Sequence, residues 1–488
     1  VTLKELAQGL GASVHGDDQV QPRFATHDSR RAGPGALFVA IRGGSRDGND
    51  FVQAALRKGA VAVASEAPPQ PGIPWIQVGN AREALALVSA ELLGRPAERL
   101  TLAGVTGTNG KTTTSYLIDA ALRARGDRVG LVGTVEYRVG SRIIEAARTT
   151  PESSDLQELL REMVEAGCTE AVLEVSSHAL ALKRVFGLRF HVAVFTNLTR
   201  DHLDFHGDME AYFAAKRVLF DTLLREDGHA VLNLEDPRSE TLAKVSRGKV
   251  IGYSTQGPAD FEAHKITLSL AGTRFELKGP QGTFPVRTPL LGRFNVQNIL
   301  AAVAAAHAMG VEPRTALEGI GAVKGVPGRL ERVDAGQDFS VIVDYAHTDD
   351  ALRKLLETIR DLCPERIITV FGCGGDRDKT KRPLMGAMAA RLSDLAIVTS
   401  DNPRSEPPED IVEDILRGMP KGRGAPVEVI PDRKEAILRA LERARKGDAV
   451  VIAGKGHEPT QVIRDRVLPF DDRRVARELL GALRSPTR

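Results

Sequence analysis

The sequence predicts an α/β protein of three domains: a central P-loop ATPase-like domain with a mostly parallel sheet, a C-terminal Rossmann-like α/β domain, and a smaller N-terminal α/β domain. Three observations carry this expectation. The 488 residues exceed one ordinary domain, and length alone suggests about three. Short, β-branched apolar runs alternate with helical stretches, as buried parallel strands require. A Gly-rich turn, Gly104–Thr114, stands between an apolar strand and a helix.

The N-terminal domain, residues 1–98, alternates the strands ALFVAI, AVAVAS and WIQVG with helical stretches at Phe51–Lys58 and Ala81–Leu93. Gly94–Leu100, GRPAERL, reads as a linker. The central domain, 99–333, opens with the strand TLAGVT and a helix from about Lys111. VLEVSS and VAVFTN follow, two apolar runs with polar ends, then a β-rich stretch at Val250–Val286 and the turn KGVPGRLE. The C-terminal domain, 334–488, repeats strand–helix units begun by FSVIVDYAH, RIITVFGCGGDRD, LAIVTSDNPR, VEVIPD and AVVIAGKGHE. Ligands of such sheets gather beyond the carboxyl ends of the strands, where the polar clusters of this chain stand.

Composition excludes several classes. A net charge of +2 gives no field for nucleic acid or an anionic membrane. Cys168, Cys363 and Cys373 show neither metal spacing nor a disulfide framework, which fits a reducing compartment. The N-terminal residues lack the pattern of a signal peptide. The Ala-rich run Asn298–Gly310 is too short to span a membrane and reads as a packed helix. A cytoplasmic protein is expected.

In GVTGTNGKTTT, the backbone of Gly107, Thr108, Asn109 and Gly110 can cradle phosphates at a helix N-terminus, with Thr113 inside the helix start. Lys111 is placed for the β- and γ-phosphates and Thr112 for Mg²⁺. Val105 stands where the strict pattern has Gly, and an ordinary strand–helix turn is the bland alternative. Glu174 is a hard oxygen donor suited to Mg²⁺, and Asp201 and His202 suit a second site. The alternatives are a solvated Glu174, a helix cap at Asp201 or Asp204, and a surface lysine at Lys216.

TGTNGKTTT, EVSSHAL, FTNLTRDHLDFHG and AAK together resemble the Mur ligase family of peptidoglycan synthesis. LGRFNVQN, GVPGRLE, DYAHT, GCGGDRDKTKRP, DNPR and GKGHE follow in family order, so the resemblance covers essentially the whole chain. It is greatest to members that extend UDP-N-acetylmuramoyl-L-alanyl-D-glutamate by a third amino acid. The resemblance implies a CO₂-derived carbamate on Lys216, which with His202 would hold a second Mg²⁺, while Glu174 and Thr112 hold the first. It places Asn295, Arg329 and Asp344 at the adenine and ribose end of ATP, with His347 nearby. Ser29, Gly44, Ser45 and Arg46 would contact the uridine diphosphate, and Thr149, Thr150, Ser176 and Arg184 the muramoyl-peptide. Leu182 replaces a frequent Gln, and Asp349 a usual Pro. The implied reaction passes the γ-phosphoryl group of ATP to the D-glutamate γ-carboxylate, and an amine then attacks the acyl phosphate. A monomer is expected. The domain carrying the phosphate loop and the one carrying DNPR are expected to approach during turnover.

DNPR decides the amino acid. A guanidinium reads a carboxylate bidentately, so Arg404, with Arg377, Asp401, Asn402 and Pro403, suits the distal carboxylate of meso-diaminopimelate. Gly454 and Glu458 suit its amino group. An Arg404 that merely pairs with Asp401 or Glu406 is the alternative, and L-lysine or L-ornithine the alternative substrates. A folylpolyglutamate synthetase shares the phosphate loop and modified lysine but not EVSSHAL or DNPR. A nucleotide-switched binding protein needs only the loop, and leaves Glu174, His202 and Lys216 without a task.

Overall fold

The computed structural model describes residues 1–43, 46–363, 365–420 and 424–484. Gly44 and Ser45, expected at the uridine diphosphate, lie outside the described residues. The chain forms two compact units. One comprises Val1–His264, Leu277–Phe284 and Gln297–Ala322; the other comprises Lys265–Glu276, Pro285–Val296 and Val323–Arg488.

The first unit holds two sheets. In the N-terminal one the strands run in the order Ser13–His15, Trp75–Gln77, Ala62–Ser65, Ala36–Ala40, Phe24–Thr26. Only Ser13–His15 is antiparallel to its neighbour. Ala36–Ala40 is buried throughout because both faces are covered. Leu37 and Val39 join one apolar cluster, and Ala36, Phe38 and Ala40 the other, as the two-residue period of a strand dictates. The expected helices appear as Val52–Arg57 and Ala81–Leu92. Instead of an extended linker, GRPAERL contains a 3₁₀ turn, Pro96–Arg99, with Pro96 buried. Proline pre-sets the φ of that turn. Ion pairs then join this sheet's elements to the next: Arg31 with Asp155 and Glu158, and Lys183 with Glu83 at 2.9 Å.

The second sheet positions the site. Eight of its eleven strands run in the order Lys249–Ser254, Leu224–Asn233, Phe190–Phe195, Thr101–Thr106, Glu170–Glu174, Val129–Val132, Glu136–Val139, Arg142–Glu145. The first six are parallel and the last two antiparallel. Thr101–Thr106 is flanked in register by Glu174 opposite Val105 and Phe195 opposite Thr106. Three carboxyl ends therefore finish side by side, and each is followed by polar chain.

The second unit is a doubly wound sheet in the order Glu331–Arg332, Ser340–Asp344, Ala449–Ala453, Ile367–Phe371, Leu395–Val398, Val427–Val429. All but the first strand are parallel. Helices Asp349–Leu362, Lys381–Leu392 and Pro408–Leu416 cover one face with Ile342, Ile367 and Phe371. Helices Arg433–Arg443 and Asp472–Arg484 cover the other with Val341, Ile368 and Val450. Asp349, the departure from proline, opens its helix behind the Thr348 cap, a position that suits either residue. Among the described residues no helix is long and apolar enough to cross a membrane.

Arg433 and Asp472 are both fully buried and join the two helices of that second face. Arg433 Nε and Nη2 donate to the carboxylate at 2.8 and 2.7 Å, and Nη2 also reaches the Ala453 carbonyl at 3.0 Å. Removing one partner strands a buried charge. Asp472→Ala is expected to lower unfolding stability by about 3–5 kcal/mol, read as a lower midpoint in urea with unchanged slope; a shift below about 1 kcal/mol would mean that water reaches the guanidinium.

Candidate active site

The phosphate loop is shaped by two glycines. Gly107 has φ +147°, and a Cβ there would stand 1.9 Å from Thr196 Oγ1. Gly110 has φ +88°, and its Cβ would meet Asn298 Oδ1 at 2.5 Å. The neighbouring strand end fixes the loop: Thr108 N donates to Asn197 O at 2.8 Å, Asn109 N to Asn197 Oδ1 at 3.0 Å, and Thr196 Oγ1 to Asn109 O at 2.6 Å. Lys111 opens the helix Lys111–Ala124, with Thr112 and Thr113 buried behind it. Its ammonium donates to the Gly107 and Thr108 carbonyls, both at 2.9 Å. Val105 lies inside the strand, before the turn begins, so a glycine there is not needed for the curvature.

Glu174 is fully buried, which removes the solvated alternative. Thr134 N donates to its Oε1 at 2.8 Å; Thr112 Oγ1 and Thr134 Oγ1 donate to Oε2 at 3.0 and 2.9 Å. A carboxylate beside threonine hydroxyls is the hard-oxygen set that Mg²⁺ takes together with phosphate oxygens. Among the described residues no group of three or more His, Cys, Asp or Glu is arranged for a metal. Thr134 escaped the sequence reading, although it stands just beyond the apolar strand Val129–Val132.

Lys216 is 1% exposed, not a surface lysine. Its Nζ donates to the Gly107 carbonyl at 2.8 Å and lies 4.5 Å from the Tyr212 ring centroid. Burial, and then the Lys111 charge, push its pKa well below the usual range. Tyr212, also missed, bonds Thr108 Oγ1 at 3.1 Å and so ties the lysine's helix to the phosphate loop. That helix, Met209–Val218, is capped by Asp208, not by Asp201 or Asp204. His202 has φ +54° and borders both Tyr212, with centroids 6.1 Å apart, and His178, at 4.7 Å. Burial lowers its pKa; Asp201, with an oxygen 3.5 Å from Nε2, opposes that, while Lys111 and Lys216 add to it.

The muramoyl-peptide candidates largely converge. Thr150 Oγ1 donates to the Glu174 carbonyl at 2.7 Å and accepts from Ser176 N at 3.2 Å. Arg184 donates to Thr150 O at 3.1 Å, and Thr149 Oγ1 is 3.1 Å from Thr134 Oγ1. Ser176 Oγ caps the helix Ser177–Ala181, just before Leu182. Glu152, unremarked in the sequence, gathers Arg148 and Arg184 at 2.8 Å each. Ser29 and Arg46 stand on loops of the N-terminal sheet, and among the described residues no hydrogen bond joins them to this group.

In the second unit Asp344 accepts from Leu330 N at 2.7 Å and Ala346 N at 2.8 Å. Arg329 stacks 5.0 Å over Tyr345, and His347 Nδ1 is 2.9 Å from the Tyr345 carbonyl. Asn295 is buried and donates to Leu291 O at 2.8 Å. Asp401, Asn402 and Pro403 are buried; Arg404, at φ +52°, donates through Nη1 to Gly375 O at 2.7 Å. The ion pairs of Glu406 go to Lys379 and Arg382, both at 2.9 Å, which hold its pKa at about 2. Arg404 is therefore not consumed by Glu406. Gly454, φ +118°, backs onto Asp401, and Glu458 accepts from Asn402 Nδ2 at 2.8 Å. Arg377 is exposed and donates to the Asp376 carbonyl at 3.1 Å.

Three family models match this chain: Mur ligase family, catalytic domain, over residues 21–95; Mur ligase middle domain over 105–306; and Mur ligase, glutamate ligase domain, over 328–456. A UDP-N-acetylmuramoyl-L-alanyl-D-glutamate--2,6-diaminopimelate ligase of Solibacter usitatus (strain Ellin6076) is 53% identical over 465 residues, 95% of this chain and 94% of its own. A relative of the same name from Geobacillus thermodenitrificans (strain NG80-2) is 47% identical, covering 92% and 93%. A solved structure of a ligase so named is 36% identical, covers 99% of both chains and superposes with a TM-score of 0.72. On these matches, and on the loop, carboxylate and lysine just described, the chain belongs to the Mur ligase family.

Proposed function

We propose that this protein is the ATP-dependent ligase that joins meso-diaminopimelate to the D-glutamate γ-carboxylate of UDP-N-acetylmuramoyl-L-alanyl-D-glutamate, in peptidoglycan precursor synthesis. The carrying observation is the meeting of Lys111, Lys216, Thr112 and Glu174 at one phosphate loop, in a chain whose relatives bear that ligase's name. We take residues 1–98, 99–333 and 334–488 as the uridine-diphosphate, ATP and amino-acid domains.

A carboxylate that attacks a triphosphate meets strong charge repulsion, so the site must supply positive charge where the transition state concentrates negative charge. Lys111 supplies one cation, and the loop amides supply oriented dipoles. Glu174 and Thr112 would hold Mg²⁺, which neutralises phosphate oxygens when bound. Lys216 is held as a buried amine of depressed basicity. A CO₂-derived carbamate on this amine, its C–N bond formed as one proton leaves, would give His202 an anionic partner with which to hold a second Mg²⁺. Phosphoryl transfer yields the acyl phosphate. The incoming amine attacks its carbonyl, and the tetrahedral intermediate expels phosphate to leave the amide. Thr149, Thr150, Ser176 and Arg184 orient the peptide carboxylate. Arg404 reads the distal carboxylate of the amino acid and Glu458 receives its ammonium.

Phosphate release from ATP is expected to require both the UDP-dipeptide and meso-diaminopimelate. Release that ignores both substrates points to a nucleotide switch, and preference for L-lysine or L-ornithine overturns the amino-acid assignment. Lys111→Ala is expected to abolish release, by about 100-fold or more. Lys216→Ala should lose activity to a similar extent and recover part of it in added acetate; full activity without rescue removes Lys216 from the mechanism. Arg404→Ala should raise KM for meso-diaminopimelate about 10-fold or more with the KM for ATP unchanged, and unaltered discrimination against lysine would show that the carboxylate is read elsewhere.

A further inference from the structure

Lys455 lies at the centre of the amino-acid site yet has no part in the reading above. It is 0% exposed, and a lysine so buried must be paired and hydrogen-bonded. Its Nζ donates to three acceptors: Thr460 O at 2.6 Å, Glu458 Oε2 at 3.1 Å and Asn402 Oδ1 at 3.2 Å. An ammonium has three N–H bonds and no lone pair, so this set uses it completely.

The consequences fall on the two neighbours expected to touch the amino acid. Asn402 Oδ1 also accepts from Val462 N at 2.9 Å. Two donors facing one amide oxygen fix the orientation of the amide, because a flipped Asn402 would set its own NH₂ against both. The Nδ2 group is thereby aimed at Glu458 Oε2, 2.8 Å away. Glu458 thus receives two donors on a single oxygen, one of them charged, and Oε2 is held between them. Its side chain remains 31% exposed. A carboxylate pinned through Oε2 keeps its other oxygen for a further donor.

We propose that Lys455 is the positioning residue for amino-acid recognition: by locking Asn402 and the Oε2 side of Glu458, it sets the free carboxylate oxygen that receives the ammonium of the diamino acid. The proposal rests on the ligase reading of this site. The hairpin Thr460–Ile463 and Arg466–Pro469 completes the device. Gln461 Nε2 donates to Asp401 O at 2.7 Å, and Val462 O accepts from Arg404 N at 3.0 Å. The ammonium reader and the carboxylate reader therefore hang from one strand.

The test is steady-state kinetics on the full-length enzyme with Lys455→Met, Lys455→Gln and Glu458→Gln, singly and with the Lys455 and Glu458 changes combined. Lys455→Met is expected to raise KM for meso-diaminopimelate 10-fold or more, with KM for ATP and for the UDP-dipeptide within 2-fold of wild type. Lys455→Gln keeps two N–H donors and preserves the fold if the methionine variant does not; an intermediate rise is expected. Combining either change with Glu458→Gln should raise KM by less than the product of the single effects, because the two residues act through one contact. Equal rises in all three KM values, an unchanged KM for the amino acid, or fully multiplicative effects overturn the proposal and leave Lys455 a packing residue. If the wild-type enzyme itself shows no dependence on meso-diaminopimelate, the ligase reading has failed instead.

Discussion

Two lysines share one carbonyl. The ammonium of Lys111 and the amine of Lys216 both donate to Gly107 O, at 2.9 and 2.8 Å, and the rest of the site follows from that crowding. Two unit charges about 4 Å apart would repel by about 4 kcal/mol at the effective dielectric of a protein surface, and by more inside. Lys111 opens a helix and is partly exposed. Lys216 sits beside the Tyr212 ring at 1% exposure, so burial disfavours its charged form. Burial beside a second cation thus lowers the basicity of the Lys216 amine at the phosphate loop.

The register of the sheet makes such crowding possible. Parallel strands in step at Val105, Glu174 and Val194 deliver three loops to one edge. Hydrogen bonds to their backbone atoms then fix these loops: Asn197 holds Thr108 and Asn109, and the Thr150 hydroxyl holds the Glu174 carbonyl and Ser176 N. Side chains that must meet within hydrogen-bond reach are therefore carried by the least deformable part of the unit. This is the general advantage of sites at the carboxyl ends of parallel strands.

How much of this could be read from the sequence depends on the range of the interaction. Alternating apolar runs disclosed the strands, because the period of two and the double burial of Ala36–Ala40 or Ile367–Phe371 are local facts. The phosphate loop was legible for the same reason: its glycines, Lys111 and Thr112 lie within a few residues of one another. Thr134, Tyr212 and Glu152 were not, since each acts on a partner distant in sequence and none is unusual in its own neighbourhood. The burial of Lys216 belongs with them; nothing in MEAYFAAKRV distinguishes a helix face turned toward a loop more than a hundred residues away. Lys455 was visible inside GKGHE, but its direction inward, away from ligand, is a property of the hairpin that follows it.

The composition of the shell around Glu174 bears most directly on what the site can hold. Its three hydrogen bonds come from two hydroxyls and one amide, all of them neutral. Lys111, the cation of the phosphate loop, donates to the Gly107 and Thr108 carbonyls. Had Glu174 paired with Lys111, the carboxylate would be neutralised and the lysine lost to the phosphates. Hydroxyls and an amide orient the carboxylate without neutralising it, which is the condition a hard cation would need in order to bind there. The same logic separates the amino-acid site, where Lys455 does compensate Glu458. There the expected ligand is itself an ammonium ion, and a carboxylate already half-balanced binds and releases it without the deep desolvation that an isolated buried charge would demand.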